Sequence, residues 1–236
     1  MILRRFMDHI KDQNWFAVGL DVIVVIVGIF LGMQVQQWYE EQKSTQRESL
    51  LVKNIIEDLR LDTQHIDKAL FELENQLEVA DKLIAKALDG EKQLALESPG
   101  LIRYSSDFRP ISQRNHADAV SNLKNEFTRE LLQNYFIKED QVRDIFLEYE
   151  DIIHNKIRPY LSDVGMHNLQ ALYNQQPNTM APALLVPEIL EVQLSNVKFQ
   201  QLLFERRLKT GTFNMLLKDL QSDNRELIET LSLNNK

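Results

Sequence analysis

Two pairs of side chains in this chain have a spacing that could do metal chemistry. Asp62 with His65, and Asp151 with His154, set a carboxylate three residues before an imidazole, the spacing with which helical bundles hold two metal ions. Such ligands must converge on a bundle interior. Asp151 lies opposite the apolar stripe of its segment, and His65 lies beside the apolar seam of its own, so no metal site is expected. His9, His116 and His167 have no partner at a ligand spacing. There is no H-E-x-x-H, no G-x-S-x-G, no Walker loop and no paired catalytic carboxylate. Of 7 glycines, three lie in the opening apolar run and the rest are scattered singly, so no phosphate cradle can be written. The expectation is a protein without catalytic residues, cofactor or metal, and not an enzyme.

Two further groups could bind rather than react. Arg103, Arg109 and Arg114, with Tyr104 and Phe108 between them, form a candidate anion pocket. "FERRLKTG", from Phe204 to Gly211, is a basic cluster expected to pair with acids of the first helix. The third group is a single residue, Asp21, inside the apolar run "GLDVIVVIVGIFLG". A carboxylate within a membrane costs a few kcal/mol, which makes it a functional candidate by default.

The elements that must position these residues follow from hydropathy and periodicity. From Phe16 to Met33 the chain carries one charge, and Val35 extends the stretch, so residues 16–35 are long enough to cross roughly 30 Å of hydrocarbon. Trp15 and Trp38 bracket the run as interfacial anchors. The run ends "LGMQVQQW" without an A-x-A-like site, which favours an uncleaved signal-anchor. Arg4, Arg5 and Lys11 precede it, against Lys43 and Arg47 after it. That bias puts a short tail, 1–15, in the cytoplasm and the rest in the periplasm, on a single-pass protein of the bacterial inner membrane. On a helix, Asp21, Val25, Gly28 and Gly32 share one face, and Gly28-x-x-x-Gly32 allows close approach of a second helix. Three readings of Asp21 stand: it reaches the cytoplasmic headgroups, it meets a partner helix, or it relays protons.

Residues 36–51 read as a polar connecting helix, and 52–232 as an extracytoplasmic helical bundle with irregular loops near 89–115 and 174–187. From Val52 the apolar residues alternate by four and three through Ile56, Leu59, Ile66, Leu70, Leu73, Leu77, Ala80, Ile84 and Ala87, with Thr63 the only break. That is a coiled-coil-type seam, either intramolecular core or a parallel homodimer. Asn115 with Asp118 reads as a helix start. One stripe runs from Val120 to Tyr135; a second, after "IKED", runs from Val142 to Tyr160, with Pro159 expected to bend or end it. Helix is expected again from Glu188 to about Leu231, with a stripe that shifts near Gly211. Only "LIRY" offers a short strand. The fold class is therefore all-α: a transmembrane helix continuing into a long helical hairpin or a four-helix-bundle-like domain.

The formal net charge of -8 disfavours nucleic acid, and the absence of cysteine excludes disulfides. The expected partners are the lipid bilayer and, through the membrane helix, a homo-oligomer or another membrane protein. The expected function is a membrane-anchored helical scaffold or interaction protein of the bacterial envelope. The alternatives are a bundle that senses a ligand or partner, or an ion-coupled subunit using Asp21.

The opening, "MILRRFMDHIKDQNWFAVGLDVIVVIVGIFLGMQVQQWYEEQK", resembles a bacterial family of unknown function whose members are single-pass, N-terminally anchored helical membrane proteins. The likeness is specific over about the first 45 residues and looser at "FRPISQRNHADAV" and the final helix. It implies an anchored helical protein and no particular activity. "LDVIVVIVGIF" also looks like the membrane helix of proton-channel stator subunits of the biopolymer-transport and flagellar-motor type. That match implies a proton-binding role for Asp21. It is local, because those proteins continue into an α/β domain and this chain continues as helix.

Overall fold

In the computed structural model the described residues are 15–89, 98–173 and 184–234. They are helical, with no strand among them beyond one isolated antiparallel bridge between His167 and Leu185. The all-α expectation holds. The chain divides into two compact units at Leu51/Val52.

The first unit consists of the opening part of helix α1 (Trp15–Asp89). Its large apolar side chains from Leu20 to Tyr39 are between 47% and 64% exposed. This helix is long and apolar enough to cross a membrane, and none of its most apolar window is buried within the chain. Val25 and Trp38 are exposed, and a Cβ added at Gly28 or Gly32 would meet nothing within 4 Å. Asp21 and Trp15 have helical backbone, and their side chains lie outside the described residues. At 100° per residue, Asp21, Val25, Gly28 and Gly32 span a sector of about 60°. Beyond Tyr39 the helix is mostly polar, and Gln36 bonds Glu40 one turn on.

The second unit is a bundle built on three long rods. One is α1 from Val52 onward. The next is α4 (Glu126–Asp151), which continues without a turn through a π-helical segment (Ile152–Ile157) into α5 (Arg158–Asp163). The third is α8 (Val197–Asn234). Between the first two run a 3-10 turn (Pro99–Arg103), an extended strap over 104–111, and the short helices α2 (Ser112–His116) and α3 (Ala119–Asn122). Helices α6 (Leu169–Tyr173) and α7 (Pro187–Leu194) precede α8. Rod direction follows from the cross-links. Glu74 meets Lys218 while Asp81 meets Arg207, so α1 and α8 are antiparallel. Lys138 meets Asp223 while Glu148 meets Lys209, so α4 and α8 are also antiparallel. Hence α1 and α4 run parallel, and the strap must return the chain along the length of the bundle.

Several expectations are revised here. The two stripes either side of "IKED" belong to one rod, so three long helices replace four. Pro159 does not end its helix. It lacks an amide hydrogen, and the π turn just before it widens the backbone so that the rod passes through to Asp163. The long helix after the strap starts not at Asn115 but at Asn125, whose side chain accepts from the Thr128 amide at 3.0 Å. "LIRY" is a 3-10 turn rather than a strand. The final helix is broken at Ser195 and Asn196, where Asn196 Oδ1 accepts from the Lys198 amide, and α8 passes through Gly211 uninterrupted.

Residues on the α1 seam are largely buried, and they pack inside this one bundle: Leu59 and Leu73 are fully enclosed, with Val52, Ile56, Ile66, Leu70 and Ala80 close behind. At mid-bundle, Phe108 of the strap lies edge-on to Phe146 of α4 and Phe213 of α8, with centroids 6.0 and 5.9 Å away. A second apolar cluster joins Leu83, Ile157, Leu161, Met166, Leu185, Leu194, Phe199 and Leu203. There Tyr160 stacks on Phe199 at 5.5 Å.

Candidate functional site: two buried polar layers

The four-three pattern of burial is unbroken in α8: Phe199, Leu203, Arg206, Thr210, Phe213, Leu217, Leu220, Asn224, Leu227 and Leu231. Three of these are polar. In α4 and the π-helical segment after it the corresponding line is Thr128, Leu132, Tyr135, Glu139, Val142, Phe146, Tyr149 and Ile153. In α1 a seven-residue recurrence, Ile55, Asp62, Ala69, Gln76 and Leu83, is buried beside the apolar seam. The polar members pair by height. Asp62 and Gln76, Tyr135 and Tyr149, and Asn224 and Thr210 are each two heptads apart, about 21 Å along a helix. Three parallel or antiparallel rods therefore bring their polar residues together in two layers, with apolar packing between.

One layer centres on Arg206, a guanidinium only 2% exposed. It donates to Gln76 Oε1 at 2.7 Å, to the carbonyls of Tyr104 and Ile102 at 3.0 and 3.3 Å, and to Thr210 Oγ1. It also lies 5.1 Å from the centroid of the Tyr149 ring. Tyr149 Oη donates to Gln76 Oε1 at 2.7 Å and accepts from the Ser106 amide at 2.8 Å, while Gln76 Nε2 donates to Ser106 Oγ at 3.1 Å. Burial lowers the Arg206 pKa from its ordinary value, yet a guanidinium keeps its proton. The charge is dispersed over carbonyl dipoles, an amide oxygen and a ring face. The chemistry of this layer is cohesion: it ties α1, α4, α8 and the strap to one point.

The other layer has two parts. Thr63 Oγ1 donates to Asn224 Oδ1 at 2.8 Å, and Asn224 Nδ2 donates to Tyr135 Oη at 2.8 Å, linking all three rods. Burial, and then the nearby Glu139, raise the Tyr135 pKa and hold the phenol neutral. Beside it, Asp62 accepts from the amides of Ile111 and Ser112 at 2.8 and 2.9 Å, and Ser112 Oγ donates to Glu139 Oε2 at 3.1 Å. Both Asp62 and Glu139 are fully buried. Glu139 Oε1 has no hydrogen-bond partner, and Arg143 stays 3.9 Å from it. Burial, with Asp62 second, pushes the Glu139 pKa up to about 8.

The residues singled out by sequence fall differently. Asp62 turns inward and His65 is exposed, so that pair does not converge; Asp151 and His154 are engaged with Asn155, Arg158 and Glu150. No group of three potential metal ligands exists among the described residues. His116 meets Asp58 at 2.9 Å, burial and then Arg103 lower the pKa of His167 from its ordinary value, and His9 lies outside the described residues. The candidate anion pocket is only partly assembled. Arg109 and Arg114 line a surface groove of about 360 Å³ with His65 and Lys68, but Asp107 and Glu72 line it too, and Arg109 pairs with Asp107 at 2.8 Å. Arg103 is elsewhere, over the Tyr104 ring. In "FERRLKTG", Arg207 pairs with Asp81 of α1 as expected, Lys209 pairs with Glu148 of α4, and Arg206 enters the core.

What sequence reasoning missed was Asp62, Gln76, Glu139, Arg206 and Asn224 as core residues. The usable signal was the seven-residue recurrence itself, which holds whether or not a position is apolar. No protein-family model, curated protein or solved structure matches this chain.

Proposed function

We propose that this chain is a membrane-anchored helical scaffold or interaction protein of the bacterial envelope, without catalytic activity. The observation that carries the reading is the contrast along α1. Its described apolar side chains from Leu20 through Val35 are exposed, whereas from Val52 the same helix supplies a core seam. An exposed run of that length has a physical reason in lipid, where a helix satisfies its own backbone polar groups. Most of the polar groups in the two interior layers bind the body's elements to one another, Glu139 Oε1 being an exception, which suits a platform better than a reaction centre.

In this reading residues 16–35 cross the inner membrane, the N-terminus is cytoplasmic and the bundle is periplasmic. The face of Asp21, Val25, Gly28 and Gly32 meets a second copy or another membrane protein. The chain has no cysteine, so a single introduced thiol reports topology unambiguously. Glu40→Cys in intact cells should react with a membrane-impermeant maleimide only once the outer membrane is permeabilised; reaction confined to lysed inner membranes would reverse the orientation. A photo-crosslinker at Val25 should capture a discrete product in native membranes that Gly28→Leu abolishes. If both Gly28→Leu and Asp21→Asn leave the products unchanged, the contact face is wrong. Loss of all function in Asp21→Asn with cross-linking intact would instead favour the ion-coupled reading.

A further inference from the structure

We propose that the docking of α2 on the bundle, where Ser112 is held between Asp62 of α1 and Glu139 of α4, is a proton-operated clasp. It is closed while Glu139 carries a proton and loosens when Glu139 ionises, freeing the end of the strap and α2 from the rods.

The geometry is asymmetric between the two carboxyls. Asp62 accepts from two backbone amides, one on each oxygen. Glu139 has one neutral donor, Ser112 Oγ at 3.1 Å, and an orphaned Oε1 in a fully buried position. A neutral acid tolerates that environment; a carboxylate there would face the Asp62 charge with a single hydroxyl for solvation. The groups around it are Asp62 from α1, Ser112 from α2, Tyr135, Asp140 and Arg143 on its own helix, and from α8 the neutral amide of Asn224 through Tyr135. Arg143 cannot neutralise it in place, because it is half-exposed and engaged with Asp140 at 3.1 Å and Gln113 Oε1 at 2.6 Å. Relief comes most directly by movement of α2. Besides the Ile111 and Ser112 amides on Asp62, its ties are to side chains nearer the surface: Asn115 and His116 to the half-buried Asp58, and Gln113 to Asp140 and Arg143. The rods keep their own apolar seams, so the opening is local.

The sign follows from linkage. The folded acid has a raised pKa, so the closed state binds the proton more tightly than an open, hydrated one. Closure is fully favoured below about pH 4.5, the ordinary value, and its advantage is lost as pH rises through about 8. In this window the open population grows by up to about tenfold per pH unit, the limit for one proton.

The test is hydrogen exchange by mass spectrometry on the full chain in nanodiscs from pH 6 to 9, corrected for intrinsic exchange rates. Amides of 111–117 should open more with each pH unit and flatten above about pH 8, while amides of 213–220 in α8 stay protected. Glu139→Gln keeps an acceptor for Ser112 and cannot ionise, so its profile should be flat. Asp62→Asn leaves an acceptor for only one of the two amides, sets an NH2 donor against the other and should open 111–117 at every pH. Identical profiles for wild type and Glu139→Gln would overturn the proposal. So would a wild-type rise shared equally by 213–220, since that is whole-bundle unfolding and needs no clasp.

Discussion

Arg206 and Arg207 are neighbours on α8 with opposite environments, and replacing each by methionine separates buried polar cohesion from surface charge. Arg206→Met keeps an unbranched stem as far as the Nε position and removes the donors to the carbonyls of Ile102 and Tyr104, to Gln76 and to Thr210. Hydrogen bonds from a charged donor contribute roughly 1.5–3 kcal/mol each, and a buried acceptor left unpaired costs about 1–3 kcal/mol. Against this, methionine spares the desolvation of an ion, a penalty of several kcal/mol. With four acceptors orphaned or weakened and a strap that no longer has its central tie, the balance falls at a net loss of about 2–4 kcal/mol. For a body of this size that lowers Tm by roughly 5–15 °C. Arg207 pairs with Asp81 at 2.7 Å with both side chains about half exposed, so Arg207→Met should change stability by less than about 1 kcal/mol. Thermal unfolding of the full-length chain in detergent, followed by circular dichroism at 222 nm, reads both. Arg206→Met at or above wild-type stability would mean that ion desolvation dominates this layer and that the argument from its acceptors is wrong.

Leu70→Asp puts an uncompensated carboxylate into the α1 seam and should cost several kcal/mol or prevent folding, read by the same melt. Asn125→Ala removes the cap of α4 and should cost about 1 kcal/mol, seen as a lower denaturant midpoint with unchanged slope. Gly211→Ala should stabilise by about 0.5–1 kcal/mol, because helix propensity gains at an interior position. There the added Cβ meets the Arg207 guanidinium at 2.9 Å, a flexible group that can shift, and Leu77 Cδ2 at an ordinary contact distance of 4.0 Å. A loss of stability in Gly211→Ala would show that the Arg207–Asp81 pair is stronger than a surface pair should be.

The apolar part of the fold was legible because it depends on periodicity alone. The α1 seam from Val52 onward, the exposed span and the all-helical class all follow from where apolar residues recur. Two of the errors share one cause. Glu139 divided one rod into two stripes, and Arg206 and Thr210 made the α8 stripe seem to shift toward Phe204 and Leu208, which are in fact 56% and 49% exposed. A polar residue at a seam position reads as an interruption until its partner is known. The partner lies on another helix, and no single helix's pattern contains it.

By itself, then, the sequence determined that the chain is helical, which run is apolar enough for lipid and where the apolar seam of α1 lies, because those are properties of one segment and its solvent. Only the tertiary structure decided that three rods rather than four form the bundle, that the strap is pinned along its length, and that Asp62, Glu139 and Arg206 are interior. A buried charge is tolerable only when specific groups from other elements surround it, and those distances exist only once the rods have been set side by side.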